Sequence, residues 1–125
     1  TLSYCKFYSG SNCTFKTNSH CRFSTRSNCI FNTSSDCIFK TCSYCEFITK
    51  SDCYFDTRSY CKFNTGSNCD FNTDSDCEFA TGSDCTFYTG SHCIFDTSFN
   101  CVFNTFPNCE FKIGSNCTIN KRIII

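Results

Sequence analysis

Apolar and polar positions alternate along this chain with a period of two, nested inside a period of eight. In Ser83-Asp84-Cys85-Thr86-Phe87-Tyr88-Thr89-Gly90 the residues Ser, Cys, Phe and Thr fall on alternate positions, with changeable residues between them. The same pattern, Ser-x-Cys-x-Phe-x-Thr-x, runs almost from end to end of the 125 residues. Alternation of this kind predicts strands with one buried and one solvated face. The fixed letters are the inward ones, because Cys and Phe suit a core. Residues after Cys (Lys6, Thr14, Arg22, Ile30, Glu46) and after Phe (Tyr8, Lys16, Asp56, Asn72, Ala80) differ freely in chemistry and face solvent. A helix is excluded, since it would need recurrence at three, four and seven.

The inward Cys set is Cys5, Cys13, Cys21, Cys29, Cys37, Cys45, Cys53, Cys61, Cys69, Cys77, Cys85, Cys93, Cys101, Cys109 and Cys117, with Cys42 alone off the repeat. The core Phe ladder is Phe7, Phe15, Phe23, Phe31, Phe39, Phe47, Phe55, Phe63, Phe71, Phe79, Phe87, Phe95, Phe103 and Phe111; Ile119 ends it. Between strands the chain runs through Gly, Asn, Arg, Ser or Asp, then Ser, then Asn, Asp, Tyr or His before the next Cys. Gly and Asn/Asp tolerate positive φ, and Ser or Asx side chains bond nearby backbone. Each octad therefore reads as a five-residue strand, Cys-x-Phe-x-Thr, closed by a three-residue corner.

One such strand cannot bury its own face. Coiling the chain and stacking the coils gives parallel ladders about 4.8 Å apart over a continuous Cys/Phe core. Antiparallel hairpins compete, but identical octads suit a parallel coil in which every turn is alike. The fold class expected is all-β, a parallel β-solenoid. With two octads per coil, Cys5 to Cys117 supply one column of eight and Cys13 to Cys109 one of seven, which Cys42 would complete. Three octads per coil would make three columns of five. Matches sixteen residues apart (Asn12 with Asn28, Asp36 with Asp52, Tyr44 with Tyr60, and Glu46, Lys62, Glu78) favour two. Eight rungs would make a rod about 35–40 Å long. Residues 1–117 form the repeat domain. The repeat decays beyond Phe99 and Pro107, and residues 118–125 read as an edge strand or cap. Thr1 already stands in the Thr column, so no N-terminal cap is expected.

Composition then narrows the function. Cys and Phe, at 16 each, replace the usual Leu, Val and Ala core. So many cysteines favour disulfides and an oxidising setting, extracellular or on a cell or virion surface; the alternative is a reduced ladder of buried thiols. Lys plus Arg equals Asp plus Glu at 11 each, which argues against nucleic acid or an anionic membrane as partner. No signal peptide and no apolar run of membrane-spanning length is visible. A start at Thr1 suggests a processed product or a segment of a longer array.

The small-x-Phe unit, as in Cys69-Asp70-Phe71-Asn72, resembles the inward pair of pentapeptide-repeat proteins, which are quadrilateral solenoids. The octad is three residues longer, so that coil shape does not carry over. Regular Cys and Thr also resemble the disulfide-braced antifreeze solenoids of insects. That resemblance implies outward rows of Thr-x-Thr, a motif this chain lacks. Its Thr17, Thr25 and Thr33 share the parity of the buried residues.

Candidate chemistry is sparse. Cys42-Ser43-Tyr44-Cys45 is the one C-x-x-C, and reads as an extra staple at a corner more than as a redox or zinc motif. His20 and His92 precede Cys in corners on opposite edges, with no carboxylate fixed beside either. No phosphate loop, carboxylate pair or nucleophile beside a base occurs. No enzyme, cofactor or metal is expected. Of three glycosylation sequons, at Asn12, Asn32 and Asn116, Asn32 is the best acceptor because the other two have Cys in the middle. The leading expectation is a structural protein that stacks head to tail with itself into a disulfide-stabilised fibre. The alternatives are an ice-binding solenoid and a rigid repeat module that binds a partner through its changeable faces.

Overall fold

The computed structural model describes residues 4–122, so the tail Ile123–Ile125 and the expectation about Thr1 lie outside it. Fifteen strands follow one another every eight residues, from β1 (Lys6–Tyr8) and β2 (Thr14–Lys16) to β13 (Val102–Thr105), β14 (Glu110–Lys112) and β15 (Thr118–Lys121). Odd-numbered strands build an eight-stranded parallel sheet and even-numbered strands a seven-stranded one. Each strand pairs with the one sixteen residues on: Phe7 with Phe23, Phe15 with Phe31, Phe103 with Ile119. The chain is a parallel β-solenoid of two octads per coil, and three per coil is excluded.

The strands are shorter than five residues, because regular pairing covers little more than x-Phe-x. Hydrogen bonding nevertheless continues past both ends. The N–H of Ile30 donates to the Cys13 carbonyl at 2.9 Å, and that of Thr33 to the Ile48 carbonyl at 2.9 Å. At the corner the Asn28 N–H donates to Ser43 at 3.1 Å. The inter-rung ladder thus runs around the turn, which satisfies backbone groups that a loose loop would leave to water.

The turn itself corrects one expectation. Positive φ falls on the residue before every Cys of the repeat, fifteen times from Tyr4 (58°) to Asn116 (58°), but not before Cys42 and on no glycine. Asn, Asp and His tolerate the left-handed region better than most residues, which explains the choice at twelve of the fifteen positions; Tyr4, Tyr44 and Tyr60 are the exceptions. Glycine serves closeness instead. A Cβ on Gly66 would lie 2.7 Å from the Ser51 hydroxyl one rung below, where that hydroxyl accepts the Ser67 N–H at 3.0 Å.

Between the sheets sit two columns of Phe. Rings in one column stack 4.8–5.1 Å apart and within 6° of parallel, as with Phe39, Phe55 and Phe71. Across the core they meet edge to face at 5.0–5.3 Å. Both geometries suit the aromatic quadrupole. From Cys21 to Phe103 every ladder residue is at most 3 % exposed. At the ends Cys5, Phe7, Cys13, Phe15, Cys109, Phe111 and Cys117 are only partly covered. Residues 118–121 continue the larger sheet as its edge strand β15.

Candidate functional site

With the core given to Cys, Phe and Thr, any site among the described residues must lie on the two outer sheet faces, the two corner edges or the end rungs. Edge I comprises the corners that follow odd-numbered strands, and carries Gly10, Arg26, Cys42, Arg58, Asp74, Gly90 and Phe106 in one column. Edge II comprises the corners that follow even-numbered strands. His92 lies on edge I and His20 on edge II, as two octads per coil requires.

No disulfide is formed among the described cysteines, so the reduced ladder is what the structure holds. Each inward thiol is satisfied by backbone: Cys29 Sγ donates toward the Ser27 carbonyl at 3.6 Å and toward Gly10, nineteen residues back, at 3.5 Å. Thiols one rung apart in a column also shift one another's titration. Hydrogen bonding to the Cys53 thiol draws Cys37 down to about 7, while the bond to Cys37 pushes Cys53 up to about 11. The Cys53 thiol raises Cys69 to about 11, and the Cys69 thiol raises Cys85 further. At the top of the rod burial pushes Cys101 and Cys109 up. A thiol that gives its proton to a neighbouring sulfur is held neutral, and the receiving end of the run becomes the acidic one.

Cys42 does not complete the column of seven. It stands half-buried on edge I, one rung from Arg26 and one from Arg58, while Cys45 points into the core. Its carbonyl, not its thiol, meets the ladder, accepting Cys61 Sγ at 3.4 Å. Among the described residues no group of three or more His, Cys, Asp or Glu is placed to hold a metal.

His20 overturns another expectation, since Asp36, one rung above, brings a carboxylate oxygen to 3.9 Å from its Nε2. Tyr4, one rung below, stacks on the imidazole at 4.7 Å and 2°. The signal was present sixteen residues either side of His20, in a column that reading the immediate neighbours does not inspect. Of the other lag-sixteen matches, Tyr44 and Tyr60 stack at 5.1 Å on edge I. Glu46, Lys62 and Glu78 are register partners on the smaller sheet. With Ile48, Ala80 and Ile94 they line a shallow groove of about 390 Å³. Asn32 is exposed at the end of its strand on the same sheet.

The buried threonines donate inward, Thr89 Oγ1 to the Gly90 carbonyl at 3.3 Å and Thr33 Oγ1 to Ser34 at 3.4 Å. The outward strand threonines, Thr14, Thr86 and Thr118, form no continuous row. No family model, curated protein or solved structure matches the chain. What it shares with other short-repeat solenoids is the architecture.

Proposed function

We propose that this chain is a structural element, a rigid rod that continues end to end with further copies of itself into a fibre at a cell, virion or extracellular surface. The observation that carries this reading is that the rungs from Phe7 to Phe111 repeat one interface, with Ile119 taking the Phe place at the upper end of one column. Phe stacks on Phe at 4.8–5.1 Å and Cys on Cys all along the rod, and the end rungs, with Cys5, Phe7, Phe111 and Cys117, are left partly uncovered. A second copy laid on such an end would extend both sheets and both core ladders with no new kind of contact. Unpaired strand edges are templates for this pairing.

Oxidation would then lock the fibre. The rung spacing of about 4.8 Å lies within the Cα separation a disulfide spans, though the Cβ atoms must approach to about 3.5–4.5 Å. Neighbouring thiols of one column would pair by drawing their rungs together, with loss of two protons and two electrons to an oxidant. Electron microscopy of the oxidised protein tests the reading. Filaments many chains long are expected, and monodisperse rods the length of a single chain would refute it. The ice-binding alternative has little support, because the repeated Thr hydroxyls are turned inward.

A further inference from the structure

The solenoid converts position in the sequence into height on a rod, and this exposes a polarity that the zero net charge conceals. Residues 4–62, the lower four rungs, hold eight Lys or Arg and four Asp or Glu. Residues 63–111 hold seven Asp or Glu and no Lys or Arg. All of these side chains are exposed except that of Asp56, which is half-buried. The one ion pair among the described residues is His20–Asp36, so the basic and acidic halves do not neutralise each other within the chain.

The polarity is cleanest on edge I. Arg26 and Arg58 occupy its lower half with no carboxylate in the corner columns, and Asp74 and Asp76 stand directly above. Tyr44 and Tyr60, stacked and 57 % and 52 % exposed, add aromatic surface at mid-height. Tyr and Arg are the residues most enriched at protein interfaces.

The geometry points to an antiparallel side-by-side pair of two copies of this chain, joined along edge I about a two-fold axis between the rungs of Arg58 and Asp74. That axis lies at the middle of the column from Gly10 to Arg122, so all eight rungs overlap. Arg58 of each copy then faces Asp74 of the other, and Tyr60 faces Asp76. A parallel pair would set Arg58 against Arg58, and an axis through Cys42 would set Arg26 against Arg58. An isologous contact of this kind is self-complementary, as two-fold symmetry demands. One edge of a slim rod buries less than a standard interface, which places the pair in the weak class. Its attraction is between exposed charges and is screened by salt, whose Debye length falls from about 30 Å at 0.01 M to about 10 Å at 0.1 M.

This pairing does not rest on the end-to-end reading, and salt separates the two. Both end rungs are net positive, with Lys6 and Lys16 below and Lys112, Lys121 and Arg122 against Glu110 above, so salt favours stacking while it weakens the lateral pair. The test is sedimentation equilibrium of the full chain under a thiol reductant at about 10 mM and about 300 mM salt. Two variants accompany the unmodified protein: Arg26→Asp with Arg58→Asp, and Asp74→Arg with Asp76→Asn. Each places on edge I residues that the same repeat position already accepts, and circular dichroism checks the fold.

The expected result is dimer at low salt with dissociation strengthened at least tenfold at high salt, each variant alone monomeric, and dimer restored on mixing the two. Four outcomes would each overturn the inference: a monomer at low salt, a low-salt dimer that added salt does not weaken, variants that associate as the unmodified chain does, or a mixture that stays monomeric. Filaments in micrographs of the same samples bear on the fibre reading alone.

Discussion

Phe55 and Phe63 meet edge to face across the core at 5.1 Å and 79°, while each also stacks flat on the Phe rings one rung above and below its own. Each inner ring thus touches four others, and the solenoid is held by this lattice as much as by its backbone ladder.

Replacing Phe55 by Ala removes a fully buried ring and two stacked and two edge-on partners at once. Loss of about 3–5 kcal/mol is expected, the range for Phe→Ala in cores. Tyr54, its neighbour on the outer face, is 42 % exposed, and Tyr54→Ala should stay within about 0.5 kcal/mol. Urea unfolding of both variants under a reductant measures the contrast. Equal losses would mean that the ring lattice is not what holds the rod.

The left-handed residue before each Cys gives a backbone prediction. Asn68 has φ of 59° and its N–H donates to Ser83 at 3.0 Å. Asn68→Gly keeps that conformation at little cost, whereas Asn68→Ala should lose about 1–2 kcal/mol from the Cβ clash that left-handed backbone imposes. Melting temperatures close together for Asn and Gly with Ala below both are expected, and three equal values would show that the corner can relax to negative φ.

Much of the fold was legible because one residue type holds one role at each position. Alternation of Cys, Phe and Thr sets the inward face, and the register of Tyr44 with Tyr60 and of Glu46 with Lys62 follows from a sixteen-residue coil. What stayed hidden depends on three-dimensional neighbours or on chemistry that composition does not report. Gly66 and Asn68 both look like turn residues, yet only Asn68 takes positive φ, while Gly66 lies close against the Ser51 hydroxyl. Asp36 is sixteen residues from His20 and meets it only once the coil is closed. Cys37 and Cys53 are adjacent in either redox state, so no pattern of letters tells a thiol ladder from a disulfide one. The balance of charges conceals a basic lower half and an acidic upper half until the chain direction becomes the axis of a rod.

Thiol accessibility divides the cysteines unequally. Eleven are buried and five, Cys5, Cys13, Cys42, Cys109 and Cys117, are half-buried. A thiol-reactive dye added to the folded, reduced protein should label those five and leave the eleven until urea is added. Mass spectrometry of the digested protein identifies the labelled sites. Labelling of Cys61 or Cys69 as fast as Cys42 would show that the central rungs open.

Stability should also fall on the alkaline side. A thiol is charged when it loses its proton, so a folded-state pKa above the unfolded value of about 8.5 means that folding favours the neutral form. Such a group stabilises fully below the unfolded value and loses that contribution as pH rises toward the folded one. Bonds to neighbouring thiols raise Cys45, Cys53, Cys69, Cys77 and Cys85, and burial raises Cys101 and Cys109. Cys37, Cys61 and Cys93 are lowered by the same thiol bonds and work in the opposite sense. Above about pH 9 the lowered thiols have lost their protons in both states and add no slope, so each proton that the raised groups keep costs about 1.4 kcal/mol per pH unit. Under a reductant the melting temperature should drop steadily from pH 8 to pH 10. Cys101→Ala, which removes one raised thiol, should make that drop shallower. A melting temperature that is flat or rises over this interval would show that the ladder does not keep its protons.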